Sequence, residues 1–232
     1  NKVFDNDVKL FVKGFDRPNL SLSINQKTNW KLQIIDFLNP RKEQSGIIYC
    51  LSRKKTEEVS SFLIEKGFNA SAYHAGLEPL VRKNVQNMFM TSQFHIVVAT
   101  IAFGMGIDKP DIRFVLHLNL PGSMESYYQE IGRAGRDGKP ADTLLIYGLD
   151  DLVIRRRMIE ESVSENEYKL NENKRLDYLL SYSETPECRR KVLLAYFDDI
   201  PKRCNNCDNC LNPPKLIDGT VLAQKLLSTI YK

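Results

Sequence analysis

Long apolar runs are missing from this chain. Stretches such as Ile47-Ile-Tyr-Cys-Leu51 are only a few residues long, whereas a helix needs roughly 20 to cross a bilayer. A membrane-spanning helix is therefore excluded. No signal-peptide pattern is present, and the chain begins at Asn1 rather than Met, so it reads as a segment of something longer. There is no internal repeat and no low-complexity stretch, which excludes a solenoid. Charge of one sign is also in short supply. The net charge is +4; residues 1–148 hold 19 Lys and Arg against 15 Asp and Glu, and the remainder is balanced at 14 each. That balance permits a polyanionic partner without arguing for one. Finally, no Gly-x-x-x-x-Gly-Lys-[Ser/Thr] occurs, since Gly138-Lys139 is followed by Pro140, and no Asp-Glu-x-His occurs. The chain thus lacks the loop that cradles nucleotide phosphates and the acid that holds their magnesium.

What is present is enough for one to two domains: 232 residues of ordinary globular composition. The stretch Tyr127-Tyr-Gln-Glu-Ile-Gly-Arg-Ala-Gly-Arg-Asp-Gly138 stands out. Met124, Tyr127, Tyr128 and Ile131 recur at helical spacing, so Ser123–Ile131 is expected to be a helix, with Gly132 closing it in a left-handed cap. Arg133 and Arg136 then project from a turn kept small by Gly132, Ala134, Gly135 and Gly138. Permanently charged planar forks match phosphate oxygens, so this pair reads as arginine fingers aimed at terminal phosphates. Gln129, one helical turn earlier, is placed to orient Arg133 or a water.

Upstream, strand and helix patterns alternate. Leu20, Leu22 and Ile24 alternate as an extended piece, as do Val8, Leu10 and Val12. Trp30–Leu38 reads as a helix and Ile47–Leu51 as a buried strand. Ser52 caps the next helix, with Val59, Phe62 and Leu63 inward and Gly67 at its end. Strands follow at Asn69–Tyr73, His95–Ala99, Arg113–Leu118 and Thr143–Tyr147. The helix Pro79–Met90 is expected to bury Val81, Val85, Met88 and Phe89. This alternation predicts an α/β fold, a parallel sheet covered by helices on both faces. Working residues then gather beyond the strands' carboxyl ends: Ser52–Lys55, His74-Ala-Gly76, Thr100–Pro110 and the arginine stretch. In the third of these, Gly104 and Gly106 allow close backbone approach, Thr100 offers a hydroxyl, and Asp108 is an acid that can bind a ribose hydroxyl or pair with an arginine.

Near Leu149 the pattern changes to charged helices, Asp150–Ser162 and Asn166–Tyr182. A further helix opens at Thr185-Pro186 and runs through Phe197, with Cys188 in its first turn, and another spans Val221–Ile230. Four of five cysteines fall in Cys188-x15-Cys204-x2-Cys207-x2-Cys210. Four thiolates at this spacing suit a closed, structural tetrahedral zinc site, ahead of disulfides or an iron–sulfur cluster. Cys50 sits in the apolar run and reads as core. The basic runs Arg189-Arg-Lys191 and Lys202-Arg203 read either as duplex contacts or as solvated surface.

Gly46-Ile-Ile-Tyr-Cys50, Ala72-Tyr-His-Ala-Gly-Leu77, Val98–Pro110 and Ser126–Gly138, with the downstream cysteines, resemble the RecQ family of superfamily 2 DNA helicases. The resemblance covers nearly everything from Phe15 onward. It implies residues 1–14 as the tail of a missing N-terminal lobe, 15–148 as the second RecA-like lobe, 149–215 as a helical zinc-binding domain, and 216–232 as the start of a winged helix. It further implies ATP and Mg²⁺ held by the other lobe, with Arg133 and Arg136 reaching the γ-phosphate, Gln129 supporting them, and Gly106 and Asp108 at the nucleotide edge. Ser52, Arg53, His74, Gly76 and Thr100 would touch single-stranded DNA, while His95 and His117 are structural. The intact enzyme would unwind DNA in the 3′-to-5′ direction as a monomer, in the nucleoid or nucleus. The alternative from another class is a non-enzymatic, zinc-stapled nucleic-acid-binding module.

Overall fold

The computed structural model describes residues 14–230 apart from 94, 105 and 201; the alternating Val8–Val12 segment lies outside the described residues. Among the described residues there are six strands: β1 (Leu20–Gln26), β2 (Gly46–Tyr49), β3 (Ala70–Tyr73), β4 (Ile96–Ala99), β5 (Phe114–His117) and β6 (Ala141–Tyr147). They form one sheet in the order β1-β6-β5-β2-β4-β3, and every pairing is parallel. In β2, β4 and β5 every residue is buried. Strands screened on both faces need no polar alternation, which is why these read as unbroken apolar runs.

Helices cover the two faces separately. On one face α1 (Trp30–Leu38) and α2 (Arg53–Glu65) bury Ile34, Leu38, Val59 and Leu63 against Ile48, Val98 and Leu116. On the other, α3 (Pro79–Met90) and α4 (Met124–Ile131) bury Val85, Phe89, Tyr127 and Ile131 against Val97, Val115 and Leu145. The expected apolar stripe of α3 is only half used, because Val81 and Met88 are exposed. Edge strand β3 and its neighbour offer too little sheet to cover the whole stripe.

The chain continues as α5 (Leu149–Glu160), α6 (Asn166–Glu184), α7 (Arg189–Tyr196), the single turn α8 (Asp208–Leu211) and α9 (Thr220–Ile230). Here α6 lies on α4, with Leu176, Leu179 and Tyr182 fully buried in the same core as Tyr127. One feature of α7 departs from expectation. The helix starts at Arg189, and Thr185 is extended (ψ 137°), as the residue before a proline prefers. Cys188 is therefore the N-cap rather than a first-turn residue. Its backbone is non-helical, at ψ 118°, and its sulfur reaches the other cysteines.

Candidate nucleotide edge and metal centre

The arginine turn is built from the end of α4. Ser123 caps that helix by accepting from Ser126 N at 3.2 Å. Gly132 follows it, but with φ −62° and ψ −9°. The left-handed cap expected there is absent; the reversal comes at Gly135, with φ +57°. A Cβ on Gly135 would lie 2.4 Å from Asn19 Nδ2 and 2.9 Å from Lys139 O, so both conformation and space require glycine there. Arg133 and Arg136 are thereby turned toward the loop that follows β4. Arg133 Nη1 donates to Gly104 O at 2.5 Å. A side chain on Gly104 would collide with that guanidinium, since a Cβ would stand 2.6 Å from Nη2. Arg136 Nη1 donates to Ile107 O at 3.0 Å and pairs with Asp108 at 2.7 Å. Gly104, Ile107 and Asp108 therefore meet the arginine turn at one edge of the sheet. Gly106, φ +82°, is exposed there.

Gln129 is exposed and hydrogen-bonds neither arginine among the described residues. The buried side chain on that part of α4 is its neighbour Glu130, 2.6 Å from His117 Nε2. Tyr49 stacks on His117 at 5.2 Å between centroids and donates its hydroxyl to Phe103 O at 3.0 Å. Burial pushes the Tyr49 phenol up, so it stays a neutral donor. His117 was legible as structural, but its tie to Glu130 crosses from strand to helix and left no local signal.

A second group lies beyond the carboxyl ends of β2, β3 and β4. Ser52 caps α2, accepting from Lys55 N at 3.1 Å. The Ser52–Arg53 and His74–Gly76 loops touch: a Cβ on Gly76 would stand 3.0 Å from Arg53 Nη1 and 3.2 Å from His74 Nδ1. His74 is buried, with Nε2 3.0 Å from Glu57. Thr100, half-buried, is tied back through its amide to Tyr73 O at 3.2 Å. The Arg53–Lys55 run is not uniform, because Lys55 stacks on Trp30 with Nζ 3.7 Å from the ring centroid, while Arg53 and Lys54 are exposed.

The third group is the cysteines. The sulfurs of Cys188, Cys204, Cys207 and Cys210 all lie within 4.8 Å of one another, and those of Cys188 and Cys204 are 3.5 Å apart. Zinc–sulfur bonds of about 2.3 Å put tetrahedral sulfurs roughly 3.8 Å apart, so the donor set fits Zn²⁺ and is complete without water. Backbone amides point at the sulfurs: Cys204 N to Cys188 Sγ and Asn206 N to Cys204 Sγ, both 3.4 Å. Such donors suit thiolates. Cys50 stays out of this chemistry, buried in the sheet with its thiol pushed up to about 12 by burial.

Around the cysteines the basic run Arg189-Arg-Lys191 splits. Arg189 and Arg190 are buried, so they are neither solvated nor open to a duplex. Arg189 pairs with Asp208 at 3.0 Å and donates to the Tyr182 and Ser183 carbonyls. Arg190 Nη1 pairs with Asp16 at 2.9 Å and also donates to Arg17 O. A bridge between Leu22 and Cys207, and a bond from Ile24 N to Asp208 at 2.9 Å, seat the cysteine module on β1.

Two family descriptions match in tandem: the helicase conserved C-terminal domain over residues 26–138 and the RecQ zinc-binding domain over residues 149–211. The chain belongs to the RecQ family. The cysteine centre is the structural zinc site of that region. The ATP-dependent DNA helicase RecQ of Haemophilus influenzae is 45% identical over 223 residues, which cover 96% of this chain and 36% of the relative. The protein of the same name from Pasteurella multocida is also 45% identical, over 96% of this chain and 35% of its own. This RecQ chain thus spans about a third of the curated relatives it matches. Among solved structures, a DEAD box protein from the hyperthermophile Methanococcus jannaschii aligns with TM-score 0.51 and 29% identity, over 62% of this chain and 41% of that one. The sheet is RecA-like, followed by a helical zinc-binding region.

Proposed function

We propose that this chain is the C-terminal half of the motor core of an ATP-dependent 3′-to-5′ DNA helicase. The observation that carries the reading is the meeting of Arg133 and Arg136 with Gly104, Ile107 and Asp108 at one edge, in a chain without a phosphate cradle of its own. Two guanidiniums at an edge can complete a nucleotide site whose other wall is a separate lobe. Arg133 and Arg136 would stabilise charge on the γ-phosphate, Gln129 would support them or orient a water once nucleotide is bound, and Gly106 and Asp108 would line the nucleotide. Arg136 must exchange part of its pairing with Asp108 for phosphate, and an exposed acid lets it do so at low cost. ATP would bring Mg²⁺, which the missing lobe would hold. Ser52, Arg53, His74, Gly76 and Thr100 would follow one DNA strand by backbone amides, hydroxyl and charge. Residues 15–148 would form the second motor lobe, 149–215 the zinc-binding domain and 216–232 the start of a winged helix, after an N-terminal tail at 1–14. The enzyme would act as a monomer in the nucleoid or nucleus.

The test joins this chain to a lobe carrying the phosphate cradle. DNA-stimulated ATP hydrolysis is expected to appear and to fall about 10³–10⁵-fold in Arg136→Ala. The chain alone is expected to show none. A joined protein without turnover, or one indifferent to Arg136, would replace this reading with that of a nucleic-acid-binding zinc module, and turnover by the chain alone would refute the need for a second wall.

A further inference from the structure

Arg17 belongs to none of the motifs above, yet its side chain holds three carbonyls of the arginine turn. Nη2 donates to Ala134 O at 2.8 Å and to Gly135 O at 3.0 Å, and Nη1 donates to Gly132 O at 3.3 Å. These three carbonyls flank Arg133 and precede Arg136. The last carbonyls of a helix lack partners within it, and here a single guanidinium supplies them to the turn beyond α4. Asn19 adds bonds from Nδ2 to Gly135 O and Lys139 O, both 2.9 Å. The strap bearing Arg17 and Asn19 is itself clamped from the opposite side. The buried Arg190 guanidinium donates to the carbonyls of Arg17 and Leu20 and pairs with Asp16. Arg190 sits next to Arg189, which holds Asp208 of the zinc knuckle.

We propose that Arg17 is a positioning residue for Arg133 and Arg136, and that Arg190 fixes it to the zinc-bearing module. This rests on the finger reading above. A five-donor planar fork can hold three carbonyls of one turn at once, whereas a lysine ammonium is a point charge that cannot span them. Fingers must be placed closely, because a misplacement of about 1 Å can cost on the order of a hundredfold in rate. Loss of Arg17 frees the turn while both finger residues remain in the chain.

The test uses the full-length protein carrying this chain, with Arg17→Ala, Arg17→Lys, Arg136→Ala and the Arg17→Ala/Arg136→Ala double variant. Measurements are kcat and KM for ATP, affinity for single-stranded DNA, zinc content and thermal midpoint. Arg17→Ala is expected to lower kcat about 10- to 100-fold, with KM, DNA affinity and zinc content within about twofold of the parent. Arg17→Lys should keep the thermal midpoint near the parent's and still lose kcat; should Arg17→Ala fail to fold, the lysine variant carries the comparison. The double variant should be no slower than Arg136→Ala, since groups acting as one unit do not add. Three results overturn the proposal: additive losses, full kcat in Arg17→Lys, or a kcat loss matched by equal losses of DNA affinity and zinc. A crippled Arg136→Ala beside a full-rate Arg17→Ala sinks the Arg17 assignment alone. A full-rate Arg136→Ala sinks the finger reading and this proposal with it.

Discussion

Three consecutive basic side chains, Arg189, Arg190 and Lys191, do entirely different work. Lys191 is half-exposed, bonded to Glu187 one helical turn away at 2.6 Å, and an exposed pair of this kind contributes little. Arg189 is buried between Asp208 and two helix-end carbonyls. Removing it leaves a carboxylate and two carbonyls short of partners in a poorly solvated place. Arg189→Ala is therefore expected to cost about 3–5 kcal/mol, whereas Lys191→Ala should stay within about 0.5 kcal/mol. Urea denaturation of the zinc-loaded chain checks both, and equal costs would refute the distinction. The sequence displays all three as one basic cluster. Only the partners tell them apart, and Asp208, Asp16 and the carbonyl of Arg17 lie 19 to 174 positions away. The tight turn carrying Arg133 and Arg136 was legible for the opposite reason: its small residues are contiguous with them. Even so, the reversal comes three positions after the expected Gly132, because Gly132 and Gly135 are equally capable of it and look alike in the sequence.

At the scale of elements, caps were the readable part. Ser52, Ser123 and Pro79 start α2, α4 and α3 where capping chemistry puts them. The start of α7 was not readable, because Thr185-Pro186 has the look of a helix opening while Cys188 obeys its metal partners. This bears on zinc removal. Cys207→Ser, or chelation, should release the ion and unravel the segment from Thr185 to Asn212, which beyond α7 holds just the single helical turn α8 among the described residues. Helix α6 should survive, since Leu176, Leu179 and Tyr182 are anchored in the core under α4 rather than by the metal. Limited proteolysis read by mass spectrometry should place new cuts between 185 and 212. Early cuts within Leu176–Tyr182 would contradict this anchoring, and an unaltered digest would deny that the metal staples anything.

Over the whole molecule, the sheet and the zinc-binding region share one core. Leu20 and Leu22 of β1 belong to the same apolar cluster as Tyr127, Tyr182, Leu193 and Cys207. Chain segments joined this way should lose structure together. Unfolding of the zinc-loaded chain is expected to be a single transition, with the fluorescence of Trp30, on the far face of the sheet in α1, coinciding with loss of helical circular dichroism. Separate midpoints would mean two independent bodies. The alternation of strands and helices made the α/β class legible from sequence, because each strand is short and bounded by a helix of contrasting period. The sheet order was not: β1 pairs with β6, about 120 residues later, in a register running from Leu20 with Ala141 to Gln26 with Tyr147. Nothing local in either strand records that partnership.

The position of the zinc knuckle against β1 has a consequence for solubility. As the last strand in the order, β1 has an outer side where backbone groups would otherwise stand bare. Asp208 takes the amide of Ile24, Asn206 gives its side-chain amide to the carbonyl of Leu20, and Cys207 bridges Leu22. An open rim of this kind invites a strand from another molecule. By holding four sulfurs together the ion keeps a lid on that rim, so a cell short of zinc would face a protein prone to clump as well as one that is less stable.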